Sequence, residues 1–362
     1  MLRFRFLFLN VVLLFATTPL LLAEDDSRWL VPRSRVASTD LKIVWQFNLP
    51  LSDSETLDRL LVAGNRLYAV SSRNELTCFN RVDGNVVFSS VVAPAGLPLT
   101  GLEYYKGKLM TMVGSELVEI DAESGVNKSL INITGGVTCP PVRNGSFFYV
   151  ASSDKRLHMF KTDDKVQVPE IAADNGSLIT TVLADEDFVV FGTEVGNVVS
   201  IAVGKPAKLW QFDAPAAIAG AIVRDAKSLY FACRNTNIYR LELSSGHLLW
   251  KYQIQAIPDT APQPGKKVLY QCVPDIGLVA LDKETAGRLW EVPGGMGLLA
   301  ESGDKAFVIT KPEVLVVMDN VKKKRLYSVD ISQAVKYATN TADSMIYIAD
   351  TRGRIACLRP AQ

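Results

Sequence analysis

The chain has 362 residues, of which 48% are hydrophobic and 21% charged, a composition typical of a folded protein that excludes intrinsic disorder. Lys and Arg number 39 and Asp and Glu 38, so the net charge of +1 argues against a nucleic-acid-binding protein. Only two histidines are present, which leaves little material for a zinc site or for most acid–base catalysis.

The N-terminus has the residue order of a secretory signal peptide. Two arginines within the first five residues precede a largely apolar stretch that ends at Ala23, before three acidic residues. We therefore expect residues 1–23 to be a cleaved signal peptide and residues 24–40 a linker. The mature protein would then be exported to the periplasm or the extracellular space, with no transmembrane span. The alternative is that the apolar stretch is retained as a membrane anchor.

From residue 41 onward the sequence repeats about every 40 residues. Each copy contains an aromatic, β-branched strand, a polar turn, a short apolar strand, a second turn and a strand with a bulky aromatic residue. The aligned positions of the first aromatic strand are Tyr68, Leu109, Tyr149, Val190, Tyr230, Tyr270, Phe307 and Tyr347. With the apolar strand that precedes each of them, four short strands recur, which is the unit of a β-propeller blade.

The two ends of the chain complete each other. The eighth copy stops after its third strand, whereas Ile43–Phe47 resembles the fourth strand around Trp210. We therefore predict an all-β, eight-bladed propeller of four-stranded antiparallel blades over residues 41–362, closed by the N-terminal strand. Residues 43–47 should pair beside residues 354–358, and we expect a monomer.

The repeat resembles that of the PQQ-like β-propeller family. The pattern is a Tyr strand, a turn, Leu-x-x-Leu-Asp, a Thr/Ser-Gly turn and Leu-Trp-x-Tyr/Phe, and it spans residues 41–362. The resemblance implies that the fourth-strand tryptophan packs between neighbouring blades. A buried Trp removes about 200 Å² from water, worth on the order of 5 kcal/mol, so a core role is favoured over a cofactor platform. The predicted blade-docking residues are Trp45, Trp210, Trp250 and Trp290.

Two functional branches share this repeat. Quinoprotein dehydrogenases bind pyrroloquinoline quinone and calcium, and resemblance to them would imply adjacent cysteines that form a vicinal disulfide. The five cysteines here are far apart, and we expect them to be buried thiols, with Cys78 and Cys357 unlinked. The other branch contains non-enzymatic BamB-type periplasmic propellers. We therefore predict a scaffold without catalytic residues, cofactor or metal; a PQQ-dependent dehydrogenase-like enzyme is the alternative.

A protein partner is expected at one face of the propeller. The turns between the second and third strands of all blades should emerge there, and their charges of both signs suit a protein better than a nucleic acid. The candidate interaction residues are Arg73, Asn74, Lys155, Arg234, Asn235 and Arg352.

Two further motifs have alternative interpretations. The run Lys322–Arg325 is either a solvated turn or a contact patch for an anionic partner. Four asparagines begin Asn-x-Ser/Thr and would be glycosylation acceptors only in a eukaryotic secretory pathway. They are Asn127, Asn132, Asn144 and Asn175.

Overall fold

The computed structural model describes residues 26–312 and 314–361. The predicted signal peptide lies outside these residues. No helix in the described part of the chain is both long enough and apolar enough to cross a membrane.

The chain begins with short helical turns and then forms one strand before the first complete blade. These elements are a 3-10 helix at Asp26–Arg28, helix α1 at Arg33–Val36 and strand β1 at Leu41–Asn48.

Seven consecutive blades follow, each an antiparallel sheet of four strands that pair in chain order. Blade 1 contains β2 (Leu57–Ala63), β3 (Arg66–Ser71), β4 (Glu75–Asn80) and β5 (Val86–Val91). Blade 2 contains β6 (Leu99–Tyr105), β7 (Lys108–Val113), β8 (Glu116–Asp121) and β9 (Asn127–Asn132). Blade 3 contains β10 (Val142–Arg143), β11 (Phe147–Ala151), β12 (Arg156–Lys161) and β13 (Gln167–Ala172). Blade 4 contains β14 (Ile179–Ala184), β15 (Val189–Thr193), β16 (Asn197–Ile201) and β17 (Lys208–Asp213).

The remaining blades repeat this arrangement, and the last one recruits β1. Blade 5 contains β18 (Ile218–Asp225), β19 (Ser228–Cys233), β20 (Asn237–Glu242) and β21 (Leu248–Gln253). Blade 6 contains β22 (Gln263–Pro264), β23 (Val268–Val273), β24 (Gly277–Asp282) and β25 (Arg288–Pro293). Blade 7 contains β26 (Gly295–Ser302), β27 (Lys305–Thr310), β28 (Val314–Asp319) and β29 (Lys324–Asp330). Blade 8 contains β30 (Lys336–Ala338), β31 (Ile346–Ala349), β32 (Arg354–Pro360) and β1.

We call the strands of each blade A to D. The A strands of successive blades contact each other and surround the central channel, whereas the D strands form the outer rim. The B strands are buried on both faces, which explains their largely apolar sequences; every residue of β19 is buried. The D strand β21 alternates between half-buried and exposed residues, as expected for a strand with one solvated face.

The predicted closure of the ring is confirmed. Strand β1 pairs antiparallel with β32, with Trp45 opposite Cys357 and Phe47 opposite Ile355. The eight-bladed, all-β fold and its four-stranded blades are likewise as predicted.

Residues 29–40, predicted as part of a linker, instead pack onto the propeller. Leu30, Val31 and Val36 are buried in a cluster with residues of blades 7 and 8. The Gln46 side chain binds both the N–H and the carbonyl of Val31, at 2.9 and 3.0 Å. The sequence argument missed this because blade 8 takes its C and D strands from opposite ends of the chain. No C–D hairpin covers that interface, and the N-terminal segment lies there instead.

All five cysteines are free, including Cys78 and Cys357, and four of them are buried. Burial raises the pKa of the Cys78 and Cys357 thiols to about 12, so both stay protonated at neutral pH.

Candidate protein-interaction site

The predicted interaction residues lie on B–C turns of four blades. Because every blade has the same strand order, these turns emerge at one end of the ring. We call the four turns the turn face: residues 72–74 in blade 1, 152–155 in blade 3, 234–236 in blade 5 and 350–353 in blade 8.

The local sequence of the turn face follows from its backbone conformation. Each turn is closed by a hydrogen bond over three residues, such as Asn74 N to Ser71 O at 3.0 Å. Its last residue has a positive φ, 63° at Asn74 and 86° at Gly353, which Asn and Gly adopt at low cost. Arg73 and Arg352 therefore occupy the same turn position, one residue earlier.

Four of the predicted residues are exposed cations. Arg73, Lys155, Arg234 and Arg352 are all classed as exposed to solvent. None of them forms an ion pair within residues 26–312 and 314–361. Arg73 nevertheless donates to Asp53 O at 3.4 Å, and together with the Ser71 side chain its charge helps to lower the pKa of the Glu55 carboxyl.

The two predicted asparagines have structural roles, and for Asn74 this corrects the sequence-based assignment. Asn74 is buried, and its Nδ2 donates to the carbonyls of Pro94 and Leu97 at 2.9 and 2.8 Å. Asn235 is half-buried and donates to the Tyr239 hydroxyl at 2.7 Å. Both amides hold loops in place and do not reach toward a partner.

The structure brings Arg73 and Arg352 to either side of one loop. Residues 49–56 connect blade 8 to blade 1 and hydrogen-bond both B–C turns. Leu49 N donates to Gly353 O at 2.8 Å, and Ser72 N donates to Thr56 O at 2.8 Å. The other two cations lie on blades 3 and 5, farther around the ring.

A small apolar cavity of about 150 Å³ lies beneath this loop. Its apolar lining comes from Phe47, Leu49, Pro50, Leu51 and Val86, and Ser71, Glu75, Thr77 and Ser89 supply polar atoms. Sequence reasoning missed the cavity because β1, the loop and blade 1 meet only once the ring is closed. We call the cavity with Arg73 and Arg352 the closure site.

Glu55 fixes the loop that borders the closure site. The side chain is buried and accepts a hydrogen bond from Ser52 N at 2.9 Å. The nearby Ser71 side chain, together with contacts at Ser52 and the Arg73 charge, lowers the pKa of the Glu55 carboxyl. The carboxylate stays ionised at neutral pH and holds the loop in one conformation.

The chemistry at the closure site is that of binding. Two guanidinium groups can pair with carboxylates, and the cavity can receive an apolar side chain. Within the part of the chain that the structure describes, no group of three His, Cys, Asp or Glu side chains could hold a metal ion.

The central channel also contains a cavity, of about 700 Å³, lined by the inner strands of blades 2 to 5. Glu103 is the one carboxylate among its described lining residues, and partial removal from water raises the pKa of that carboxyl. Arg224 also lines the cavity and is paired with Asp185. A calcium-bound quinone needs several oxygen ligands and a base, so this set of donors does not fit it.

The predicted blade-docking tryptophans all reach the next blade around the ring. Each indole N–H donates a hydrogen bond to that blade: Trp45 to Arg81 O, Trp210 to Leu243 O, Trp250 to Lys283 O and Trp290 to Asn320 Oδ1. Each acceptor residue directly follows a C strand; three of the acceptors are backbone carbonyls, and that of Trp290 is a side-chain amide oxygen. Trp45 and Trp290 are buried, whereas Trp210 and Trp250 are half-buried. Their contribution to stability stays a prediction.

The sequence comparisons support the resemblance noted from the repeat. Residues 114–263, about two fifths of the chain, match the family model described as outer membrane protein assembly factor BamB. No curated protein matches the chain.

Solved structures show the same fold at low sequence identity. The computationally designed Ika8 protein has a TM-score of 0.69 at 13% identity, covering 86% of this chain and 98% of that one. BamB from Moraxella catarrhalis has a TM-score of 0.67 at 14% identity, covering 88% and 97%. The C-terminal WD40 domain of Sif2 has a TM-score of 0.67 at 13% identity, covering 88% and 98%. At such identities the similarity supports the fold alone.

Proposed function

We propose that this PQQ-like β-propeller is a non-enzymatic protein-interaction scaffold that binds its partner at the closure site. The match to the BamB model and the likeness to a BamB structure are compatible with this role. The N-terminal sequence further supports export to the periplasm or the extracellular space.

One observation carries the proposal. Arg73 and Arg352 are exposed and have no ion-pair partner among the described residues. They lie on the two B–C turns that hold the loop at residues 49–56, and that loop borders an apolar cavity that neither arginine lines. Unpaired arginines beside an apolar pocket are typical of the anchor points of protein interfaces. The partner should therefore present acidic side chains around one apolar residue.

The test is a quantitative co-purification from the exported fraction of the source cells. We expect the wild-type protein to retain a partner. The Arg73→Glu/Arg352→Glu variant should bind that partner at least about tenfold more weakly, which corresponds to roughly 1.4 kcal/mol of binding free energy. The matched control is Lys227→Glu/Lys267→Glu, which makes the same charge change on adjacent blades. These lysines lie on A–B turns at the opposite end of the ring. Partner retention by the arginine variant, or equal loss by the control, would reject the closure site.

A second measurement separates the scaffold from the enzyme alternative. Purified protein is incubated with pyrroloquinoline quinone and calcium and then supplied with alcohols or sugars and a dye acceptor. We expect no dye reduction above the protein-free rate, because Glu103 is the one carboxylate among the described residues that line the channel cavity, too few oxygen ligands for a calcium-bound quinone. Cofactor-dependent dye reduction would overturn the proposal that the protein is a non-enzymatic scaffold.

A further inference from the structure

A second groove runs along the outer rim between blades 6 and 7, away from the closure site. Its volume is about 630 Å³, within the range of ligand-binding clefts. One wall is the D strand of blade 6 from Trp290 to Pro293, and the floor is the C strand of blade 7. The groove extends from Pro312 in the B–C turn to Lys323 in the C–D turn.

The floor of this rim groove is apolar. Val314, Val316 and Met318 alternate along β28 and therefore share one face of the sheet. Trp290 is fixed beside them, because its indole N–H donates to Asn320 Oδ1 at 2.8 Å. From residue 314 to residue 318 a strand spans about 13 Å, the length of four to five residues of extended peptide.

One end of the groove is strongly basic. Lys323, Lys324 and Arg325 line it, and none of them forms an ion pair among the described residues. The acidic lining residue, Glu291, is neutralised by Arg288 at 2.6 Å. The groove therefore combines an apolar floor with three cations. Backbone hydrogen bonds, together with the Lys323 and Lys324 charges, lower the pKa of the Asp282 and Asp319 carboxyls, whereas Arg325 has no ion-pair partner among the described residues.

The basic end includes a turn position that is glycine in three of the other blades. Gly84, Gly125 and Gly246 occupy the fourth position after a C strand, with φ between 70° and 75°. A Cβ on each would lie 2.4–2.5 Å from an aromatic ring of the preceding blade. Lys323 stands at this position in blade 7, with φ of 54°. Lysine also stands at this position in blade 3, as Lys165 with φ of 63°, and alanine in blade 6, as Ala286 with φ of 60°, so the turn accepts side chains other than that of glycine.

We propose that the rim groove binds an extended acidic segment of a partner protein. Apolar side chains of that segment contact the half-buried Val314, with the buried Val316 and Met318 supplying the apolar base of the groove. Its carboxylates pair with Lys323, Lys324 and Arg325. Charge complementarity selects this occupant, because a basic or purely apolar segment would leave the three cations facing like charge or hydrocarbon.

The test uses a fluorescein-labelled octapeptide of alternating Glu and Val residues, titrated with the full mature protein and followed by fluorescence anisotropy. We expect saturable binding that weakens by at least about tenfold in the Lys323→Glu/Lys324→Glu/Arg325→Glu variant. The matched control is Arg73→Glu/Arg234→Glu/Arg352→Glu, which makes the same charge change on the turn face and should bind as the wild type does.

Two further arms examine the apolar floor. Octaglutamate should bind at least about tenfold more weakly than the alternating peptide. Substitution of the half-buried Val314 in Val314→Ser should weaken binding of the alternating peptide but not of octaglutamate. Thermal unfolding of each variant verifies that it is folded. The proposal is overturned if binding does not saturate up to about 1 mM peptide, a dissociation constant that corresponds to a binding free energy of about −4 kcal/mol. Equal binding of both peptides, or equal loss in the turn-face control, would overturn it as well.

Discussion

Trp45 and Gly84 are matched across the interface that closes the ring. The Trp45 indole N–H donates to Arg81 O at 3.0 Å, and its ring stacks with Phe79 at a centroid distance of 6.2 Å. Gly84 lies against the ring with φ of 75°, and a Cβ there would approach Trp45 Cδ2 to 2.5 Å. The glycine is required both for its backbone conformation and for the space that the indole occupies.

A double-mutant cycle separates these two requirements. We expect Trp45→Ala to lower the free energy of unfolding by about 3–5 kcal/mol. Gly84→Ala should cost about 1–2 kcal/mol from the left-handed backbone, plus a further steric cost. In the Trp45→Ala background only the backbone cost should remain, so the two changes should be less than additive. Denaturant unfolding of the four proteins measures this; strict additivity would show that the ring and the glycine do not contact.

Residue roles that depend on the repeat could be predicted from the sequence, and those that depend on single loops could not. Trp290 and Tyr270 lie where the repeat places them, because each blade must pack on the next. Asn144 begins a glycosylation motif, yet it is buried and donates to Asp185 O at 3.1 Å. Asn74 was assigned to the interaction face because it lies in a B–C turn, but it is buried and donates to the carbonyls of Pro94 and Leu97 in the loop before blade 2.

At the scale of elements, the A–B turn of blade 4 links its blade to blades 2 and 3. Glu186, in the A–B turn of blade 4, accepts a hydrogen bond from Gly145 N of blade 3 at 3.0 Å. It also pairs with Lys106 of blade 2 at 2.6 Å and accepts a hydrogen bond from the Tyr105 hydroxyl. One carboxylate thus links three consecutive blades at the end of the ring opposite the turn face.

This link should weaken in acid. The Lys106 ammonium, with the Tyr105 hydroxyl and Gly145 N, lowers the pKa of the Glu186 carboxyl from 4.5 to about 2. Because the pKa of this carboxyl is lower in the folded than in the unfolded state, the contact stabilises the protein fully at a pH above the unfolded-state pKa. That stabilisation is lost as the pH falls through the folded-state pKa. We therefore expect the melting temperature of wild type to exceed that of Glu186→Gln by an amount that is constant above about pH 5.5 and shrinks toward pH 2. A difference that does not change with pH would show that the carboxylate is not ionised in this contact.

At the scale of the whole molecule, stability depends on one pairing between the two ends of the chain. Buried apolar residues form clusters between neighbouring blades, so each blade is supported by the blade on either side of it. The cluster around Trp45, Phe79 and Tyr347 joins blade 8 to blade 1 and includes residues of both chain ends. If β1 leaves β32, two blades lose a neighbour at once. The sequence predicted this closure because the incomplete eighth copy and the unpaired first strand have matching patterns.

A disulfide between β1 and β32 tests how far the pairing of these two strands contributes to stability. Lys42 and Arg359 are opposite each other in the β1–β32 register and both are exposed. Opposed antiparallel residues have Cα atoms about 4.5–5.5 Å apart, within the range that a disulfide spans. In the Lys42→Cys/Arg359→Cys variant the oxidised form should be about 2–4 kcal/mol more stable than the reduced form, because the bond closes nearly the entire chain into a loop.

The native thiols near this bond provide the internal check. Cys357 lies two residues from the engineered site but is buried with a raised pKa, so it should not exchange with the new disulfide. Peptide mapping should recover one 42–359 link, and denaturant unfolding with and without reductant gives the difference in stability. Equal stability of the oxidised and reduced forms would contradict the expected stabilisation by closure of the chain. The weakest blade interface would then be sought at blades 2 and 3, whose D strands contain no aromatic residue.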